Sequence, residues 1–284
     1  MGYYVDEELK TKLIAGVLIA AEEVMAIYQR DFTVQAKANE SPLTEADLAA
    51  HSSIKKTLKT LTPEIPFLSE ESVKLPYSVR SEWDRYWLVD PLDGTKEFIK
   101  KNGEFTLNIA LVVKGVPVFG IVHAPALDES RGVTWVGQVG EGAWKRRASS
   151  SFEPISVRQL PDSEAEPWKI VGSRSHGTQE FEKFCDFLPN HKLVSMGSSL
   201  KICLIAEGSA DLYPRLAPTC EWDTAAAQAV LVGAGGSVLN ANTLEPLMCN
   251  QQDSMLNPYF IACGKLDARW ADLLTRSIHD NKLK

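Results

Sequence analysis

The sequence predicts an α+β arrangement in its first half and an α/β arrangement in its second. Three observations carry this reading. Apolar residues recur at helical spacing before residue 61, strand patterns dominate residues 66–144, and strand and helix patterns alternate after residue 168. The stretch 148–168, rich in Ser, Pro and Glu, separates the two rhythms. The expected domains are therefore an α+β unit over 1–150 and an α/β unit over 151–284.

Leu9, Leu13, Ile14, Val17, Leu18, Ala21, Val24, Met25 and Tyr28 mark a first helix within residues 6–30. Thr44 with Asp47 fits an N-cap followed by an acidic first turn and opens a second helix running to about Leu61. Pro63 and Pro66 stop it, and a short strand then leads into Glu70-Glu71. The apolar run Trp87-Leu88-Val89 reads as a buried strand emptying into a tight turn, Asp90-Pro91-Leu92-Asp93-Gly94-Thr95, with a short helix from Thr95 to Lys100. Phe105–Val113 and Val116–Val122 around Lys114-Gly115 read as a hairpin. In the second half, helices are expected at Thr178–Leu188, Ser198–Glu207, Glu221–Val232 and Leu266–Ile278. The strands expected between them are Lys169–Val171, Leu193–Ser195, Ala210–Tyr213 and Tyr259–Ala262.

Bulk properties narrow the function. The chain has 284 residues, 44% of them apolar, and a formal net charge of −7, which argues against a surface that coats nucleic acid. Five Cys form no Cys-x-x-Cys pair, as expected for buried free thiols in a reducing compartment. The N-terminus has no signal-peptide pattern, and apolar stretches are too interrupted to span a bilayer. The expectation is a cytoplasmic protein, with a peripheral position on the inner face of the cell membrane left open.

Asp90 and Asp93 on one loop suit a hard divalent cation, since Mg²⁺ takes oxygen ligands and is usually bound by a few carboxylates together with substrate phosphate. Gly94 lets backbone amides approach an anion. Taken alone, Asp223 reads as a helix-start acid and Glu70 as a solvated strand end. Haloacid-dehalogenase-type phosphatases use an Asp-x-Asp-Gly-Thr motif; the spacing of three between Asp90 and Asp93 excludes it.

Glu70-Glu71, Asp90 through Thr95 and Trp222-Asp223 together resemble the magnesium-dependent, lithium-inhibited phosphatases of the inositol monophosphatase superfamily, in order and spacing and over nearly the whole chain. The resemblance implies a layered α-β-α-β-α sugar-phosphatase-like fold and two or three Mg²⁺ per site. One ion would be held by Glu70, Asp90 and the Leu92 carbonyl, another by Asp90, Asp93 and Asp223. Asp47 and Thr95 would orient and deprotonate the attacking water, and the amides of Gly94 and Thr95 would bind phosphate oxygens. Further phrases are similar to the 3′(2′),5′-bisphosphate nucleotidases of CysQ type: Ser41–Thr44, Asn102–Thr106, Ser173–His176, Gly197–Lys201 and Tyr213–Arg215.

That subgroup implies hydrolysis of adenosine 3′,5′-bisphosphate, a small-molecule substrate, to AMP and phosphate; some members also accept 3′-phosphoadenylyl sulfate, and the role is in sulfur assimilation. The 3′-phosphate would sit on the metals, among Glu70, Leu92, Asp93, Gly94, Thr95 and Asp223. His176, Ser198, Lys201 and Arg215 would address the 5′-phosphate and nucleoside. Arg215 discriminates, because its planar fork pairs with a second phosphate where inositol monophosphatases place an acid. The alternatives are an inositol-monophosphatase-like phosphatase and a catalytically silent metal- or nucleotide-binding regulator. Glu221 adds a charge beside Asp223, and Lys37 is equally a site residue or a solvated linker residue.

Overall fold

The segment Arg85–Asp93 is buried on both faces, and this dictates the layering. Tyr86 and Leu88 enter one apolar cluster, Trp87 and Val89 another, so the sheet containing them must be covered on each side. The computed structural model describes residues 4–36, 42–130, 132–162, 166–173 and 178–279.

Helix α1 (Glu7–Tyr28) is capped by Asp6, whose carboxylate accepts the Leu9 N–H at 2.7 Å. Strands β1 (Val34–Ala36) and β2 (Pro42–Thr44) form a two-stranded antiparallel ribbon that leads into α2 (Glu45–Leu61). Among the described residues, a seven-stranded sheet follows, built in spatial order from β3 (Phe67–Ser69), β4 (Arg85–Asp93), β5 (Thr106–Val113), β6 (Val116–Ala124), β7 (Val133–Gln138), β8 (Gly142–Arg147) and β9 (Glu153–Ile155). All neighbours are antiparallel except β3 and β4. Short helices α3 (Tyr77–Arg80), α4 (Thr95–Ile99) and α5 (Leu127–Ser130) lie in its connections.

The second half runs β10 (Trp168–Ser173), α6 (Gln179–Phe187), β11 (His191–Met196), α7 (Leu200–Ala206), β12 (Leu212–Arg215), α8 (Ala225–Gly233), β13 (Ser237–Asn240), β14 (Phe260–Cys263) and α9 (Ala268–His279). Its strands form a sheet in the order β11-β10-β12-β14-β13. β10 is parallel to β11 and β12, whereas β14 is antiparallel to β12 and β13. The alternation read from the sequence is therefore a mixed sheet. The strand at Ser237–Asn240 carried too little apolar pattern to be expected.

Three apolar clusters define the layers. Residues of α1 and α2 meet one face of the seven-stranded sheet. Residues of α7 and α8 lie between its other face and the five-stranded sheet. Residues of α6 and α9 cover the outer face of the five-stranded sheet. The result is α-β-α-β-α, as the resemblance implied. The inner helix α8 approaches the first sheet at van der Waals limits. A Cβ on Gly120 would lie 2.1 Å from the Ala226 carbonyl oxygen, and one on Gly137 2.3 Å from the Val230 Cα. Glycines on β6 and β7 and alanines on α8 are what let backbone meet backbone here.

Three local expectations change. The residues after Asp90 do not form a tight turn: β4 continues to Asp93 with an irregularity. Pro91 has no N–H to give the ladder. Three steps along β4, from Asp90 to Asp93, face two along β5, from Asn108 to Thr106, which is a bulge. The helix expected over Glu221–Val232 is split into a 3-10 turn, Glu221–Asp223, and α8, because Asp223 turns back to accept the Cys220 N–H at 2.9 Å. Helix α7 begins at Leu200 rather than Ser198, since Ser198 holds a left-handed conformation with φ of 44°.

Gly120→Ala should destabilise the protein by about 1–3 kcal/mol, the usual cost of forcing extra atoms into a packed core. Urea unfolding of wild type and variant, compared at their midpoints, measures it.

Candidate metal and substrate site

The bulge in β4 sets the positions of Asp90 and Asp93. It turns the Leu92 N–H onto Asp90 Oδ1 at 3.1 Å. Asp90 itself is 1% exposed. From the neighbouring parallel strand, the Glu70 N–H donates to the Val89 carbonyl, so Glu70 follows β3 beside the end of β4. Asp223 arrives from the other half on its 3-10 turn. Carboxylate oxygens of Asp90, Asp93 and Asp223 lie within 4.8 Å of one another.

Burial pushes the Asp90 carboxyl well above the ordinary carboxylate range, and the negative charges of Glu70, Asp93, Asp223 and Asp47 push it further. Asp93 is raised chiefly by burial, against the pull of the Lys201 ammonium and the Ser199 N–H. Asp223 is raised by burial and by Asp93, with the Cys220 N–H and Arg215 opposing. A set of desolvated oxygen donors that repel one another fits a hard divalent cation. The residues therefore suit the metals that the resemblance implied. Glu70 contributes to the field around Asp90 but lies outside the tight triad of oxygens.

Asp47 is 2% exposed and fully engaged. Its Oδ2 accepts the Thr44 N–H at 2.7 Å and the Thr44 hydroxyl at 2.6 Å, completing the capping box of α2. Its Oδ1 accepts the Thr95 hydroxyl at 3.2 Å. The cap read from the sequence and the Asp47–Thr95 pair are thus the same structure. Thr95 Oγ1 is also 3.4 Å from the Leu92 carbonyl oxygen. Gly94, with φ of 91°, opens α4, and a Cβ there would lie 3.0 Å from the Glu104 carbonyl oxygen. A left-handed, Cβ-free residue is required at this contact.

A cleft of about 140 Å³ joins these acids to the second half; Asp93, Gly94, Ser198, Lys201, Arg215 and Asp223 line it. Lys201 is buried, donates to the Ser198 carbonyl at 2.5 Å and lies 5.5 Å from the Tyr213 ring. Burial lowers its pKa to about 8, against the pull of Asp93. Arg215 donates to the Pro218 carbonyl at 2.9 Å, while its Nε and the Ser198 hydroxyl are buried without a partner. His176 and Lys37 lie outside the described residues.

Glu221 does not add its charge to the metal cluster's face. Both its oxygens accept the Asn250 N–H at 2.9 Å, and Asn250 is in turn bonded to Arg80. Burial raises the Glu221 pKa to about 7. This linkage was not legible, because its three members are far apart in sequence. Also missed were Thr106 and Asn108, whose signal was two polar residues inside the otherwise apolar strand β5.

The profile of the inositol monophosphatase family matches residues 6–281. This chain belongs to the inositol monophosphatase family. Among curated relatives, the 3′(2′),5′-bisphosphate nucleotidase CysQ of Escherichia coli strain K12 is 46% identical over 244 residues, covering 85% of this chain and 94% of that protein. The crystal structure of CysQ from Bacteroides thetaiotaomicron is 40% identical, with a TM-score of 0.77 over 90% of this chain and 97% of its own. An IMPase of Thermotoga maritima, at 22% identity, shares the inositol monophosphatase fold with a TM-score of 0.75 over 97% of this chain and 99% of its own.

The raised carboxyls give a signed expectation. An acid whose folded pKa is raised weakens the fold progressively as pH climbs from the unfolded value, near 3.8 for Asp, through the folded one. Divalent cation binding should remove that penalty. The rise in Tm on adding Mg²⁺ should therefore grow from pH 4 upwards, and Asp90→Asn should shrink it. Differential scanning calorimetry with Mg²⁺ or EDTA measures this; a shift independent of pH would contradict it.

Proposed function

We propose that this protein is a divalent-metal-dependent 3′(2′),5′-bisphosphate nucleotidase that hydrolyses adenosine 3′,5′-bisphosphate to AMP and phosphate. The observation that carries the proposal is the shared cleft, lined by the carboxylates Asp93 and Asp223, whose oxygens cluster with those of Asp90, and by the cations Lys201 and Arg215. One phosphate can lie over the acid cluster while a second meets Lys201 and Arg215. An inositol monophosphate has no second phosphate for that position. The identity to CysQ nucleotidases supports the same reading.

Glu70, Asp90, Asp93, Asp223 and the Leu92 carbonyl would hold the cations, and Mg²⁺ is the ion that such hard oxygen donors suit. When bound, two such ions supply Lewis acidity toward the phosphoryl oxygens and lower the pKa of water. The chain's own groups do the rest. Asp47 Oδ2 is fixed by two Thr44 donors, so Oδ1 is held toward Thr95. Thr95, donating to Asp47, presents its oxygen lone pairs to accept a proton from an attacking water as its own proton passes to Asp47 Oδ1. The N–H groups at the start of α4, exposed by Gly94, face phosphate oxygens. Ser198, Lys201 and Arg215 orient the nucleotide through its 5′-phosphate, with Arg215 able to pair bidentately.

Two variants and a substrate panel test this. With Mg²⁺, phosphate release from adenosine 3′,5′-bisphosphate should far exceed that from inositol 1-phosphate, and Li⁺ should inhibit; a reversed preference would favour the inositol-monophosphatase-like alternative. Arg215→Glu should lower kcat/KM for the bisphosphate about a hundredfold or more, as expected for losing a charged, desolvated hydrogen-bonding pair. Asp47→Asn should lower kcat by about 10²–10⁴-fold with little change in KM, the range for a lost proton-transfer group. Unaltered kcat in Asp47→Asn would remove Asp47 from the proton path.

A further inference from the structure

Against the cleft, whose lining includes Ser199, lies a closed ring of three buried polar side chains. Thr106 and Asn108 come from β5, and Ser199 comes from the turn that starts α7. Their exposures are 0%, 1% and 3%, so no solvent serves them. Ser199 Oγ donates to Asn108 Oδ1 at 2.7 Å, and Asn108 Nδ2 donates to Thr106 Oγ1 at 3.0 Å. Thr106 and Ser199 hydroxyls lie 2.8 Å apart. Because the Ser199 proton is committed to Asn108, Thr106 must donate to Ser199. Each hydroxyl then donates once and accepts once, and the ring is satisfied internally.

The ring bridges β5 and the turn that starts α7. On one side, the ladder pairs Asp90 with Asn108 and Asp93 with Thr106, the two register points flanking the bulge. On the other, Ser199 is one residue from Ser198 and two from Lys201. Glu104 braces the same turn, with its Oε2 accepting the Gly197 N–H at 2.7 Å. Ser198 is held there in a left-handed conformation, its hydroxyl buried without a partner and lining the cleft. A serine kept in a strained backbone region needs such bracing.

We propose that Thr106 and Asn108 are positioning residues that, through Ser199, lock Asp93 and the Ser198–Lys201 turn into one unit, so that cation binding at the acids and phosphate binding at Lys201 and Arg215 strengthen each other. The coupling follows from geometry. A cation that fixes Asp93 fixes Thr106, its partner across the ladder, and through the ring Ser199 and the turn; a phosphate that orders the turn fixes Ser199 and through the ring Thr106 and Asp93. Such coupling is reciprocal by necessity. The inference deepens the bisphosphate reading and rests on it.

The test is calorimetric titration of the whole protein with Mg²⁺, alone and with AMP, which carries only the 5′-phosphate. In wild type, AMP should tighten Mg²⁺ binding about tenfold, within the usual range of coupling between sites. Thr106→Val, which keeps the side-chain shape but breaks the ring, should still bind Mg²⁺ and should lose the AMP effect. Thr106→Ser should retain it. Ser199→Ala provides a second disruption should Thr106→Val fold poorly. An absent AMP effect in wild type, or an AMP effect undiminished in Thr106→Val or Ser199→Ala, would overturn the inference. Failure of the bisphosphate reading shows itself separately, as no phosphate release from adenosine 3′,5′-bisphosphate by wild type with Mg²⁺.

Discussion

Mutual repulsion among desolvated carboxylates is the constraint around which this fold is organised. Asp90 is almost wholly buried, and the charges of Glu70, Asp93, Asp223 and Asp47 all act on it. Left to relax, such groups would move apart or take up protons. Several are instead held by neutral donors: Asp90 by the Leu92 N–H, Asp223 by the Cys220 N–H, and Asp47 by the backbone and hydroxyl of Thr44. A neutral donor fixes a carboxylate without cancelling its charge, whereas a lysine at the same place would cancel it. The negative field is thereby kept for a cation. Asp93 and Asp223, the two of these acids that line the cleft, also feel a cation, Lys201 at Asp93 and Arg215 at Asp223.

Delivering Asp223 to Asp90 and Asp93 requires the two sheets to be held at a fixed separation. That separation is set by α8, whose backbone rests on β6 and β7 where glycines leave no side chain in the way. The 3-10 turn bearing Asp223 leads directly into α8, so packing in the middle layer fixes the height at which the carboxylate emerges. Glu221, on the same turn, faces the opposite way into a buried network with Asn250 and Arg80. A turn held at one end by Cys220 and at the other by this network has little freedom to follow the repulsion at Asp223.

How much of this could be read from the residues depends on how local each cause is. The strand into Asp90, the cap at Thr44 and Asp47, and the hairpin at Lys114-Gly115 depend on neighbours within a few positions, and the sequence pattern carries them. Glu70 and Asp223 read alone as ordinary acids; only the family resemblance joined them to Asp90. The bulge was hidden because it arises from pairing with β5, although Pro91 was its visible cause. The split of the helix at Asp223 and the late start of α7 at Leu200 both arise where a side chain or a strained backbone serves the cleft instead of the helix. Thr106 and Asn108 looked like blemishes in an apolar strand, since their partner Ser199 lies about ninety residues away.

The same electrostatics bear on how two phosphates share one cleft. An anion approaching Asp90, Asp93 and Asp223 meets a repulsive field until cations neutralise it, so the acid end cannot recognise phosphate unaided. The other end carries its own charge in two forms. Arg215 brings a guanidinium fork, and its unpartnered Nε is a donor held for an acceptor. Lys201 is different: burial brings its pKa to about 8 even with Asp93 pulling it upward. A phosphate dianion beside Lys201 acts in the same direction as Asp93, favouring the ammonium form. The guanidinium of Arg215 can therefore attract the nucleotide before the site is filled. At Lys201 a phosphate adds to the pull that Asp93 already exerts toward the ammonium form.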